Sequence, residues 1–147
     1  KNNIEIKRYF CCLLVILSEK NYEEDILVGY RWFDTKKIQP LYPFGYGLSY
    51  STFEISNAET NKTEFEKNDL ITVTLKIKNS GKRAGAEVIQ LYSSQPICSV
   101  LRPKKELKAF QKVFLQAGEE KTVSLKVKVL DLAFYSEKSN SWVVEPG

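Results

Sequence analysis

The chain has 147 residues, which is enough for one domain with additional peptide but too few for two full domains. Hydrophobic residues make up 43% and charged residues 27%, the composition of a globular protein with a single core rather than of a disordered chain. The small net charge of +4 argues against nucleic-acid binding. The three cysteines form no CxxC pair and there is no histidine, which excludes zinc sites and catalytic triads that need an imidazole.

The amino-terminal apolar run Tyr9–Leu17 follows Lys7 and Arg8, an order of charged and apolar residues that is typical of signal peptides. The run is too short to span a bilayer, and no small-residue cleavage site follows it. A buried strand covered by other protein is therefore the favoured interpretation, with a signal segment as the alternative. The two neighbouring cysteines in the run do not favour a bridge with each other, whereas a bridge to Cys98 is left open.

An aromatic-rich stretch follows, and we call Tyr22–Tyr50 the connector. Its second half is dense in proline, glycine and aromatic residues. Gly45 and Gly47 bracket Tyr46, so the backbone can turn tightly while large rings anchor it on a neighbour. This composition predicts an irregular but rigid connection between domains, because a flexible linker would favour serine and other small polar residues.

From Thr52 onward, short segments of alternating apolar and polar residues are separated by turn sequences, which predicts an all-β sandwich or barrel. The segments Ile71–Ile77 and Val123–Val129 alternate most regularly and should supply the heart of the core. The first ends at Asn79–Gly81, a turn sequence that tolerates positive φ. The second follows the turn Ala117–Glu119.

Weaker patterns predict how the sandwich opens and closes. Phe53–Ile55 is predicted to form the opening strand. Trp142–Val144 is predicted to form the closing strand. Leu132, Phe134 and Tyr135 are predicted to plug an end of the sandwich between the last two strands.

Two middle segments, Glu87–Ser93 and Leu107–Leu115, carry apolar residues on both faces, including Tyr92 on the first and Phe110 on the second. A sandwich strand that is apolar on both sides either contains a bulge or packs against a second body. Both segments should belong to one sheet, so the second body is the favoured interpretation and a bulge is the alternative.

Two further segments leave a choice between an ordinary and a functional role. The loop formed by Ile97–Leu101 and the following Arg102 and Pro103 is either a crossover between the sheets or a contact loop that docks on other domains. The consecutive acids Glu23–Asp25 favour a solvated patch over a catalytic carboxylate pair.

Several motifs follow one another in an order that covers nearly the whole chain from Tyr22 onward. They are Tyr22–Asp34, Pro40–Phe53, Asn79–Tyr92, Arg102–Val113, Phe134–Tyr135 and Trp142–Gly147. Together they resemble the carboxy-terminal part of glycoside hydrolase family 3 enzymes. In β-glucosidases and β-xylosidases of that family, this passage leaves the second catalytic domain and enters a fibronectin type III-like domain. Lys1–Ser18 lies outside the resemblance.

The resemblance implies an immunoglobulin- or fibronectin type III-like two-sheet sandwich over residues 51–147, after a connector and remnant of an α/β catalytic domain over residues 1–50. A retaining β-glucosidase uses two carboxyl groups about 5–5.5 Å apart, and in the family both come from outside the matched region. The chain is therefore expected to be a non-catalytic accessory part of a hydrolase, with no catalytic residue, metal or cofactor of its own. The parent protein is expected to act in carbohydrate metabolism, on β-linked glucosides or xylosides, in the periplasm or outside the cell.

The residues expected to dock on the catalytic domains of the parent glycosidase are nearly all aromatic. They are Tyr30, Arg31, Trp32, Phe33, Phe44, Tyr46, Tyr50, Tyr92 and Phe110. The isolated fragment is expected to self-associate through the same uncovered surface, and neither a nucleic-acid partner nor a membrane span is expected. A carbohydrate-binding module that stacks Trp32, Tyr46 and Tyr50 on sugar rings is one alternative. A protein-interaction module that dimerises through its apolar surface is the other.

Overall fold

Seven β-strands and one short α-helix form the described part of the chain, residues 24–146 of a computed structural model. In chain order they are α1 (Tyr30–Lys36), β1 (Phe53–Thr60), β2 (Leu70–Asn79), β3 (Gly85–Ser93), β4 (Glu106–Leu115), β5 (Glu120–Lys128), β6 (Phe134–Ser136) and β7 (Ser141–Val143). A 3₁₀ helix, Val129–Leu132, links β5 to β6. The apolar run Tyr9–Leu17 and both interpretations of it lie outside the described residues.

Two antiparallel sheets face each other, with the strand order β1–β2–β5 in one sheet and β3–β4 in the other. The core between them consists of Leu75, Ile77, Ile89, Val113, Leu115, Val123 and Leu125. Each of these side chains contributes about 1.5–3 kcal/mol by leaving water. The strands β2 and β5, whose alternation is the most regular in the sequence, supply more than half of this core, and the predicted all-β sandwich is confirmed.

The outer face of the β1–β2–β5 sheet is polar. Thr74 Oγ1 lies 3.1 Å from Ser124 Oγ on the neighbouring strand, and Lys76 Nζ lies 3.3 Å from Glu120 Oε1. These side chains alternate with the core residues along the same strands, as the pleat of a strand requires. This face of the sandwich is therefore suited to water.

The turn after β2 differs from the prediction. Asn79 is the last residue of β2 and is 0% exposed, and none of the residues from Asn79 to Gly81 has a positive φ. Gly81 is required for a different reason, because a Cβ at this position would lie 2.1 Å from Ser51 Oγ. In the second predicted turn, by contrast, Gly118 does adopt a positive φ of 77°.

The connector contains a short helix, which the prediction of an irregular segment missed. The helix α1 begins after Gly29, where φ is 64°. It ends before Lys37, where φ is 56°. A helix of two turns is too short to show a sustained 3.6-residue period and too short to be stable by itself. Contacts with the β3–β4 sheet stabilise it instead.

The segment predicted to plug the sandwich forms a strand. Phe134–Ser136 pairs with Ser141–Val143, so that Tyr135 lies opposite Trp142 with their rings edge to face at 5.8 Å. Both rings are largely exposed. The predicted closing strand is therefore present, but it forms a two-stranded hairpin of three residue pairs with β6 rather than covering a plug.

Candidate docking surface

The outer face of the β3–β4 sheet, which we call the outer β3–β4 face, is rich in apolar side chains. It is formed by Val88, Gln90 and Tyr92 from β3 and by Phe110, Lys112 and Phe114 from β4. Phe110 is 69% exposed and Phe114 is 56% exposed, although neighbouring residues of the same strands are buried in the core. Large rings that remain in water on a regular strand are typical of a surface that another body covers.

The sequence left a bulge and a second body as alternatives, and the structure contains features of both. The pairing of β3 with β4 shifts register between Leu91 and Tyr92. On the Tyr92 side of the shift, the connector lies on the outer β3–β4 face. Tyr30 of α1 meets the ring of Tyr92 edge to face at 5.7 Å and the ring of Phe44 at 5.0 Å. Its hydroxyl accepts a hydrogen bond from the backbone N–H of Leu107, at 2.8 Å.

Polar contacts fix the helix beside this ring cluster. Lys105 Nζ lies 3.0 Å from Asp34 Oδ2 and 5.1 Å from the ring centre of Tyr92. The hydroxyl of Thr35 accepts a hydrogen bond from the backbone N–H of Lys104, at 3.0 Å. Burial raises the pKa of the Tyr92 phenol against the opposing effect of Lys105, so Tyr92 stays neutral and acts as a hydrogen-bond donor.

The middle of the connector touches the same face at Gln90. Gly45 has a φ of 82°, and a Cβ there would lie 2.7 Å from Gln90 Nε2, so only glycine fits. The hydroxyl of Tyr92 donates a hydrogen bond to Gln90 Oε1, at 2.5 Å, which holds the amide under the glycine.

Ser51, the residue directly after the connector, attaches its carboxyl end to Asn79 at the end of β2. The hydroxyl of Ser51 lies 2.6 Å from Asn79 Oδ1 and 2.9 Å from the carbonyl oxygen of Arg83. The amide of Asn79 accepts a hydrogen bond from the N–H of Gly81 and donates to the carbonyl oxygens of Arg83 and Leu115. All hydrogen-bonding positions of this buried amide are thereby occupied.

The predicted docking residues divide into groups in the structure. Tyr30, Phe44 and Tyr92 form one ring cluster, and their inward faces are used within the chain. Tyr46 stands apart from this cluster and packs on Tyr42 at 5.0 Å. The remaining predicted residues are Arg31, Trp32 and Phe33 on α1, with Lys36 over the Trp32 ring, and the strongly exposed Tyr50 and Phe110.

Several residues that shape this surface were not identified from the sequence. Gln90 and Asp34 are polar residues among apolar neighbours in the sequence. Lys105 belongs to a run of basic residues, which suggests a side chain exposed to solvent. The only available indication was Gly45, since a glycine between aromatic residues suggests a close backbone approach. Nothing in the sequence indicates that Gln90 is the group it approaches.

A recess of about 280 Å³ lies beside the ring cluster and opens to the surface. It is lined by residues of α1, by Pro40 and Tyr42 to Phe44, and by Tyr92 and Lys105. Half of its lining residues are aromatic and two are prolines, so it is suited to an apolar side chain from a neighbouring domain.

The loop before β4 has an exposed part and an internal part. Ile97 and Leu101 are exposed, as a contact loop requires. Arg102 points inward, where its guanidinium donates to Glu106, Gln95 and the carbonyl oxygen of Leu132. Arg102 therefore has a structural role, and docking by the exposed loop residues stays a prediction.

Glu106 is held between two cations. Its Oε1 accepts from Arg102 and its Oε2 from Lys108, at 3.0 and 2.8 Å. Burial acts to raise the pKa of Glu106, but the hydrogen bonds from Lys108 and Arg102 and the attraction of both charges outweigh it. The pKa of Glu106 therefore lies below its ordinary value.

We expect Glu106→Gln to lower the free energy of unfolding at pH 7 by about 1 kcal/mol. Because the folded-state pKa is lowered, the stabilisation by Glu106 is present above the ordinary glutamate pKa of 4.5 and is lost as the pH falls through the folded-state value. The difference between wild type and variant should therefore shrink in acid. Urea unfolding at a series of pH values measures it, with Glu54→Gln, an exposed glutamate on β1, as the control. A difference that does not change with pH would contradict the expectation.

Among residues 24–146, no cluster of three or more His, Cys, Asp and Glu side chains is arranged to hold a metal ion. Within the same residues, no helix has the length and apolar character needed to cross a bilayer. Glu24 and Asp25, from the acidic run before α1, are exposed.

Residues 87–147 match the fibronectin type III-like domain family. The chain carries a fibronectin type III-like domain. The β-glucosidase BoGH3A of Bacteroides ovatus is 54% identical over 128 residues, which are 87% of this chain and 17% of that protein. The thermostable β-glucosidase B of Acetivibrio thermocellus is 49% identical over 126 residues, 86% of this chain and 17% of that protein. The chain thus spans about a sixth of the length of these curated relatives.

Solved structures agree with these matches. The β-glucosidase 3B of Thermotoga neapolitana, solved in complex with α-D-glucose, is 46% identical with a TM-score of 0.75, over 84% of this chain and 17% of that one. The β-D-glucoside glucohydrolase of Trichoderma reesei is 33% identical with a TM-score of 0.79, over 91% of this chain and 21% of that one. The predicted resemblance to the fibronectin type III-like region of glycoside hydrolase family 3 β-glucosidases is confirmed.

The chain matches the fibronectin type III-like region of the β-glucosidases and not their catalytic domains. Because the relatives are multidomain enzymes, the domain is associated with catalytic domains in them. The predicted division of this chain at residues 50 and 51, the nine docking residues and self-association stay predictions.

Proposed function

We propose that the fibronectin type III-like domain packs its connector and its outer β3–β4 face against the catalytic domains of a family 3 glycoside hydrolase and stabilises their relative position. The parent would act on β-linked glucosides or xylosides, in the periplasm or outside the cell. This domain would contribute no reacting group. Its contribution would be a rigid surface against which the catalytic domains are held.

The contrast between the two outer faces of the sandwich carries this proposal. The β1–β2–β5 sheet presents threonine, serine and paired charges to solvent. The outer β3–β4 face presents Phe110 and Phe114, and the connector beside it presents Leu48 and Tyr50, each about 90% exposed. Large exposed rings and apolar side chains on this side, opposite a polar outer face, are suited to a partner on this side.

The carbohydrate-binding alternative is less well supported by the geometry. A sugar platform needs exposed rings that lie in one plane. Tyr46 is tilted by 31° against Tyr42, and Trp32 lies under the ammonium group of Lys36. Tyr50 has no stacked neighbour among the described residues.

A chimera tests the proposal, with residues 24–146 replacing the aligned segment of the Thermotoga neapolitana β-glucosidase 3B. We expect the chimera to fold and to retain β-glucosidase activity. Phe110→Lys should then lower the stability of the chimera by about 1–2 kcal/mol, because a ring that the interface buries is replaced by a charge. The midpoint of thermal unfolding and the yield of active enzyme are the measurements.

Thr122→Lys is the matched control, since it places the same charge at an exposed position on the outer face of the opposite sheet. It should leave the chimera unchanged, and both variants should change the isolated chain by less than about 0.5 kcal/mol because both positions are exposed. Equal effects of the two variants in the chimera would show that the outer β3–β4 face does not dock.

A further inference from the structure

We propose that the connector and the sandwich form one cooperative folding unit, held in register by the hydroxyl of Tyr30 at a bulge in the β3–β4 ladder. The contacts that hold this folding unit together all lie within this chain, so the unit does not depend on the proposed function. Its amino-terminal limit lies before Gly29 and not at the predicted boundary between residues 50 and 51.

The hydroxyl of Tyr30 accepts a hydrogen bond from a backbone N–H beside the bulge. At the register shift between Leu91 and Tyr92, β4 contributes one extra residue, Lys108, to the ladder. A partly buried backbone N–H beside such an irregularity needs an acceptor. The N–H of Leu107 donates to Tyr30 Oη, at 2.8 Å. A side chain of the connector thus completes the hydrogen bonding of a strand of the sandwich.

The connector is attached to the sandwich at several separate points, the last of them at Ser51 directly after it. α1 contacts the start of β4 through the Tyr30 hydroxyl, Gly45 lies directly on Gln90, and Ser51 is bonded to Asn79. A segment that swings as an independent arm would be attached at one end only. Attachment at both ends and in the middle means that the connector leaves only when all three contacts break, which couples its loss to unfolding of the sheet.

The first test follows α1 and the sandwich separately during unfolding. The chain has two tryptophans, Trp32 in α1 and the exposed Trp142 in β7. In the Trp142→Phe variant, fluorescence reports only on α1, whereas far-ultraviolet circular dichroism reports mainly on the strands. We expect the two signals to change at the same urea concentration. A Trp32 transition at clearly lower urea would overturn the proposal.

The second test isolates the Tyr30 hydroxyl. Tyr30→Phe keeps the ring contacts with Phe44 and Tyr92 but removes the acceptor for Leu107. Hydrogen exchange measured by NMR should show the Leu107 amide exchanging about twofold to tenfold faster than in wild type. Tyr135→Phe is the control, because its hydroxyl forms no hydrogen bond with the described residues, and it should leave the Leu107 amide unchanged. Unchanged exchange in Tyr30→Phe would overturn the role of the hydroxyl, whatever the outcome of the chimera experiment.

Discussion

Asn79→Ala is expected to lower the free energy of unfolding by about 2–4 kcal/mol. The substitution removes a fully buried amide that accepts from Ser51 and Gly81 and donates to the carbonyl oxygens of Arg83 and Leu115. Those groups lose a partner that is itself fully buried, and a small cavity remains. Urea unfolding followed by circular dichroism measures the loss.

The control for this prediction is Asn68→Ala. Asn68 is an exposed asparagine in the turn before β2, and its replacement should change stability by no more than about 0.5 kcal/mol. If Asn79→Ala costs no more than Asn68→Ala, the buried amide does not hold the sheets and the connector together.

The regular part of the fold was predictable because its signal is local. In β2 and β5, every second residue is apolar, and a strand with one buried face needs nothing else to be recognised. The burial of Leu75 and Ile77 on β2 and of Val123 and Leu125 on β5 follows directly from that alternation, and Leu75 pairs with Val123 across the two strands. The two-faced character of β3 and β4 was also visible, and Phe110 is exposed on the outer face as expected.

The contacts that attach the connector could not be predicted because they join residues far apart in the sequence. Asn79 resembles an ordinary turn residue, and only the approach of Ser51, 28 residues earlier, makes it a buried acceptor. The helix α1 has no sustained period of its own, since its stability comes from β4. In both cases, tertiary contacts override the local pattern.

The candidate site was predictable by residue type, whereas the contacts within the chain were not. Tyr30, Phe44 and Tyr92 pack on one another and fix the connector on its own sandwich, and their docking on a neighbouring domain stays a prediction. Tyr50 and Phe110 do remain exposed and available. An aromatic residue in a sequence indicates that a surface will be covered, but not which part of the protein covers it.

Gly81→Ala is expected to destabilise the domain by about 1–3 kcal/mol. The new Cβ would lie 2.1 Å from Ser51 Oγ and 2.9 Å from the backbone nitrogen of Thr52. Rotation of the serine could relieve the first contact, but it would give up the hydrogen bond to Asn79. The second contact is with backbone, so the end of the connector must move away from the turn after β2.

A double-mutant cycle shows whether this contact is the cause. Ser51→Gly removes the hydroxyl, so the pair Ser51→Gly and Gly81→Ala should be less destabilising than the sum of the single variants. Gly47→Ala is the matched control, because its Cβ would meet nothing within 4 Å and its φ is not positive. It should leave stability unchanged or slightly higher, since alanine restricts the unfolded chain. Additive effects of the pair would mean that the Ser51 hydroxyl does not press on the new Cβ. If Gly81→Ala costs no more than Gly47→Ala, the close approach of Ser51 and Thr52 to the turn after β2 would be wrong.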